Sequence, residues 1–103
     1  MTANGIDYKS KRWEIKRGKI LRRDRLCQQC KRYGKHRAAT TAHHCFPAEQ
    51  YPEFAWCDWN LVGLCSACHN SMHDRDTHKL TALGEQWKRR AEARKPPLKP
   101  ADA

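Results

Sequence analysis

Apolar residues are sparse along this chain and come in short groups whose spacing changes several times. Between Ser10 and about Asp24, Trp13, Ile20 and Leu21 share one side of a helical wheel, while Lys16, Arg17, Lys19, Arg22 and Arg23 mostly take the other. That pattern predicts a basic helix capped by Ser10. Gly18 weakens it by about 1 kcal/mol relative to alanine. Leu26 leads into Cys27-Gln28-Gln29-Cys30, and a basic loop from Lys31 to Arg37 turns around Gly34. The β-branched Thr40 and Thr41 open a short strand that runs to Phe46 and stops at Pro47. Residues 47–59 carry Tyr51, Phe54, Trp56 and Trp59 among acids and prolines and read as an irregular loop pinned by aromatics.

Asn60 to Leu64 forms a second short apolar strand. The polar run from Ser66 to about Asp76 predicts a helix starting beside Cys65, and Leu83 to Lys95 predicts a last helix anchored by Trp87 and ended by Pro96-Pro97. Residues 1–9 read as a flexible arm anchored by Ile6 and Tyr8, residues 96–103 as a disordered tail, and 10–95 as a single small α+β domain.

A chain of 103 residues with 39% apolar content builds only a small core, and such domains commonly need a metal, disulfides or a partner as a staple. Six cysteines would serve either of the first two. No secretory signal and no run long enough to span a bilayer is visible, so the cysteines are expected to be reduced in a cytoplasmic protein. The disulfide reading is the alternative.

The formal charge of +10 is unevenly placed: residues 1–37 hold thirteen Lys or Arg against three acids, and the remainder is balanced. Without an apolar face to insert into lipid, a basic N-terminal third points to nucleic acid, with no membrane partner. A basic surface that serves only solubility is the plain alternative.

Cys27-x2-Cys30 followed by Cys65-x2-Cys68 is a strong signal for a closed, four-thiolate structural zinc site. A redox role for Cys-x-x-Cys competes, but two copies argue against it. Closing the long intervening loop would contribute on the order of 10 kcal/mol to folding. Cys45 reads as a small buried residue and Cys57 as incidental.

On the predicted helix, His69 and His73 lie four apart on one face and could grip a single ion, about a quarter turn from Cys65 and Cys68. His43 and His44 are adjacent on the first strand. They therefore face opposite ways, and the strand is expected to end or bend there. His36 and His78 read as structural residues.

The order His43-His44, Asn60, then His69 and His73 resembles the HNH endonuclease motif. The resemblance extends from about Trp13 to Asp76, through the Trp-containing basic helix ending Arg23-Asp24, both Cys-x-x-Cys pairs, the His-His pair followed by Pro47, and Asn60-Leu61 leading into Cys65-x-x-Cys68-His69-Asn70. It is greatest to the small phage-type enzymes with a four-cysteine zinc site. Many relatives have Asp where this chain has His43.

The resemblance implies a ββα-metal core with a zinc staple and flanking helices, and a metal-dependent DNA endonuclease leaving 5′-phosphate and 3′-hydroxyl ends. It implies His44 as general base oriented by Asn60, and His43, His69 and His73 as ligands of a catalytic divalent ion (Mg2+, Mn2+, Ni2+ or Zn2+). Lys16, Arg17, Arg22 and Arg23 are candidates to track DNA phosphates. In a phage, the implied role is DNA processing or packaging beside a terminase in the host cytoplasm. A non-catalytic zinc-stapled DNA-binding module is the alternative function.

Overall fold

Ser10 caps the first helix as expected, its hydroxyl accepting from the Trp13 N–H at 3.2 Å. The computed structural model describes residues 6–96, so most of the expected tail and the first five residues of the expected arm lie outside the described residues. The first helix, α1, spans Lys11–Arg23 and buries Trp13 and Ile20. Its end is fixed by Asp24, whose N–H still bonds Ile20 O at 2.8 Å while its carboxylate accepts from the Gly63 N–H at 3.0 Å. Gly63 permits that approach, since a Cβ there would lie 2.8 Å from the Asp24 Cβ.

A single short turn of helix, α2 (Gln28–Lys31), follows. It lies inside a loop closed by Cys27 N–H to Arg37 O at 2.7 Å and Ala39 N–H to Arg25 O at 2.9 Å. Gly34, at φ 75°, supplies the left-handed turn. Strands β1 (Thr41–His44) and β2 (Leu61–Leu64) pair antiparallel, with His43 opposite Val62 and His44 opposite Leu61. Between them the aromatic loop contains two short 3-10 turns, Pro52–Phe54 and Asp58–Asn60. Two helices complete the described chain: α3 (Ser66–Asn70) and α4 (Ala82–Arg94), the latter capped by Thr81.

The two faces of the hairpin bury different cores, as strand alternation requires. Ala42 and Leu61 pack with Ile6, Trp13 and Ile20 under α1, whereas Val62 and Leu64 pack with Phe46, Met72, Trp87 and Ala91 against α4. Trp87 is tied in by its indole N–H, which donates to Gln29 Oε1 at 2.8 Å. No helix among the described residues is long and apolar enough to cross a membrane.

One expected element is much shorter than its sequence suggests. The helix expected to run from Ser66 to about Asp76 stops at Asn70. Ser71 Oγ donates back to Ala67 O at 3.0 Å, and the Met72 carbonyl accepts from the Thr81 N–H at 2.9 Å instead of from a further helical turn. Met72 is fully buried, and the chain leaves it extended, bridging His73 to Leu80.

Candidate active site

Two clusters of ligating side chains flank the hairpin and α3. In the first, the sulfurs of Cys27, Cys30, Cys65 and Cys68 all lie within 4.8 Å of one another. Cys30 Sγ is 3.9 Å from Cys65 Sγ and 3.7 Å from Cys68 Sγ. Thiolates sharing one tetrahedral zinc through bonds of about 2.3 Å lie roughly 3.8 Å apart, so the spacing fits that ion. The backbone N–H of Cys68 draws the Cys65 thiol down to about 7, while burial holds the Cys30 and Cys68 thiols up, so Cys65 is the first of these to reach the thiolate a metal needs. Cys45 stands outside this group, fully buried, with its thiol pushed up to about 12 by burial. Cys57 is partly exposed.

The second cluster is built on His43, which is 1% exposed. Its Nε2 is a buried polar atom without a hydrogen-bond partner. An orphan of this kind inside a small domain is costly unless something binds it. The His69 ring lies 5.3 Å from that of His43, and the His73 ring 5.7 Å, each near edge-to-face. Two imidazoles bound to one tetrahedral ion through bonds of about 2.1 Å would have ring centres roughly 5 Å apart, so each of these pairs is near the spacing a shared cation needs, while among the described residues the four cysteines alone bring all their ligand atoms within 4.8 Å of one another. His69 reaches the cluster from α3. His73 does not share that helix face, as the sequence spacing suggests it should; it arrives on the extended segment after Met72.

His44 points to the other face of β1, as the alternation demands, and the strand ends with it before a bend at Cys45 and Phe46. Its ring stacks on Trp13 at 5.4 Å with 20° between planes, and Tyr8 closes edge-on at 6.4 Å. Its Nε2 lies 2.9 Å from Ala55 O. A carbonyl only accepts, so Nε2 carries the proton and Nδ1 keeps the lone pair.

Asn60 does not touch His44. Its Oδ1 accepts from the Phe46 N–H at 2.7 Å, and its amide donates to Phe46 O and Phe54 O, both at 3.1 Å. It locks the two ends of the aromatic loop beside Ala55, so its hold on His44 runs through that backbone.

Burial lowers the pKa of His43 well below the usual imidazole value and lowers those of His44, His69 and His73 as well. The neighbouring imidazoles act in the same direction, while the Ala55 carbonyl partly opposes the effect at His44. All four are therefore neutral near pH 7, the state both a ligand and a general base require. They open into one cleft of about 660 Å3 whose walls include Tyr8, Trp13, Arg17 and His78.

The candidate DNA-contacting residues separate on inspection. Arg17 lines the cleft, with one Nη2 bond to Thr40 O at 2.7 Å. Arg22 is exposed and lies along the helix over Gly18. Lys16 is instead paired with Asp58 at 2.5 Å. Arg23 spends its guanidinium on both Asp24 carboxylate oxygens and on the carbonyls of Asp58 and Leu61, joining α1 to the hairpin. His78, Tyr8 and Trp13 carried no sequence signal for the cleft. His78 is read as structural from sequence, and only the folding of the 74–79 loop brings it to the cleft wall.

No protein-family model matches the chain, and no curated protein matches it. Among solved structures it is similar to the HNH endonuclease of the deep-sea thermophilic bacteriophage GVE2, crystallised with a manganese ion. The two share 36% sequence identity over 61% of this chain and 70% of that one, with a TM-score of 0.58. With that identity and coverage, and with a hairpin that presents His43 and His44 beside a short helix presenting His69, the chain belongs to the HNH endonuclease family.

Proposed function

We propose that the protein is a metal-dependent endonuclease that hydrolyses phosphodiester bonds of DNA. The observation that carries this reading is the unpartnered, buried Nε2 of His43, set against His69 and His73, with the open Nδ1 of His44 on the adjoining strand position. The manganese-bound phage enzyme to which the chain is similar supports it. His43, His69 and His73 would hold one divalent ion. When bound, it stabilises the negative charge that develops on the phosphate and the leaving 3′ oxygen.

The protein's own residues supply the rest. His44 Nδ1 takes a proton from water, and the hydroxide equivalent adds to phosphorus as the bond to the 3′ oxygen breaks; that oxygen takes a proton from solvent, leaving a 5′-phosphate and a 3′-hydroxyl. Trp13 on the face of the ring and Ala55 O at Nε2 keep the imidazole from turning, and Asn60 keeps Ala55 in place. Arg17 lies where the phosphate backbone would enter the cleft. The four thiols would hold a structural zinc that ties the Cys27–Cys30 loop to the start of α3, the helix that carries His69. Reduced thiols suit a cytoplasmic enzyme, and the similarity to a bacteriophage endonuclease supports a role in phage DNA processing, of which packaging beside a terminase would be one form.

Supercoiled plasmid incubated with the purified protein and each of Mg2+, Mn2+, Ni2+ and Zn2+ tests the reading. Nicked or linear product should form with at least one ion and vanish with chelator, and the new ends should accept ligase directly. DNA binding without cleavage under every ion would favour the non-catalytic module instead.

A further inference from the structure

We propose that His78 is a DNA-contacting residue at the rim of the cleft, donating a hydrogen bond to a backbone phosphate beside the one that is cut. The inference rests on the DNA reading above. Beside His44, four more imidazoles line the cleft, and their exposure rises in order: His43 is buried, His69 and His73 are half-buried, and His78 is exposed. The three inner rings account for the ion. His78 is the most exposed of the four, and with His69 and His73 it borders a second depression that also includes Asn70, Asp74 and Arg75. In that depression the positive charge of Arg75 lies beside Asp74, whose carboxylate is engaged by the Asp76 and Thr77 N–H groups, so a nucleic-acid strand leaving the cleft on this side would meet both His78 and Arg75.

The backbone is the second observation. His78 has φ 62°, the only positive value among the described residues that are not glycine. That region favours glycine, and a histidine there is strained. The loop enforces it: Asp74 Oδ1 accepts from the Asp76 and Thr77 N–H groups at 2.8 and 3.0 Å. Asp74 N–H donates to Lys79 O at 2.7 Å, and His78 N–H donates to Asp74 O at 2.9 Å. None of these bonds uses the imidazole, and the ring makes no hydrogen bond to any described residue. The turn would be better served by glycine, so what the histidine contributes is its ring, held at the rim with an N–H available in either protonation state.

The test compares His78→Gly and His78→Asn with the parent. Binding of a labelled duplex oligonucleotide is followed by fluorescence anisotropy without added divalent ion, alongside thermal unfolding. Glycine relaxes the backbone while removing the ring, so His78→Gly should unfold at the parent's temperature or above it yet bind DNA about threefold to tenfold more weakly, the loss expected for one hydrogen bond. Asparagine tolerates the left-handed conformation and carries a donor, so His78→Asn should recover part of the affinity.

Parent-like binding by the glycine variant would overturn the inference, as would a loss of affinity matched by a loss of stability. If the parent binds DNA but cuts none, the nuclease reading falls and this inference stands on the binding data. If the parent binds no DNA, both fall.

Discussion

His44 is tied at one nitrogen and open at the other, and the consequences follow from that asymmetry. Burial lowers its pKa, so the neutral, proton-accepting form persists below the usual imidazole value of 6.5. At saturating metal, cleavage should therefore stay above half of its maximum at pH 6.5 and reach the half only as the pH drops through the lowered folded value. An acid limb centred above 6.5 would show that another group sets the rate.

The histidines proposed to hold the ion should respond differently. His69→Ala should lose cleavage through weaker ion binding and regain part of it in excess metal, a rescue visible in metal titrations of the cleavage rate. Asn60 was legible in the sequence as a member of the motif, but its action was not. A side chain that bonds Phe46 and Phe54 backbone across a loop leaves no periodic trace. Removing it strands two buried backbone groups and a third that is part-buried, so Asn60→Ala should cost on the order of 3 kcal/mol of stability, read from denaturant unfolding.

At the level of elements, α1, both strands and α4 follow from local pattern, because each has a cap, an alternation or a terminating proline within its own few residues. The stretch after Cys65 does not. Polar residues from Ser66 to Asp76 are compatible with helix, and what stops it is the distant Thr81 N–H claiming the Met72 carbonyl. His73 still reaches His43, so the histidine set was readable from spacing although the helical route assigned to it was not.

The same contact makes Gly84 sensitive. A Cβ there would sit 2.3 Å from Met72 O, so Gly84→Ala must push α4 off the segment that carries His73. It should destabilise the protein by about 1–3 kcal/mol and weaken metal binding along with it, measurable by thermal unfolding and metal titration. Cys68→Ser opens the thiolate cluster instead. It should lower bound zinc in elemental analysis and loosen α3, whereas unchanged zinc content and stability would remove the cluster's structural role.

For the molecule as a whole, net charge overstates the surface that DNA meets. Lys16 and Lys19 are held by Asp58, and Arg23 bonds its guanidinium inside the fold, which sequence could not reveal because the partners lie far along the chain. Arg17 at the cleft and the exposed Arg22 remain. Replacing both by alanine should flatten the slope of log affinity against log salt by about one to two, since each lost phosphate contact removes roughly 0.9. Arg23→Ala should act mainly on stability.

The most direct measurement is the conversion of supercoiled plasmid by the parent and by His44→Ala, in the same divalent ion and at matched zinc content. The parent should nick the plasmid, and His44→Ala should be slower by about 10²- to 10⁴-fold, with no rescue by excess metal. A His44→Ala protein that cuts at the parent's rate at neutral pH would contradict the account.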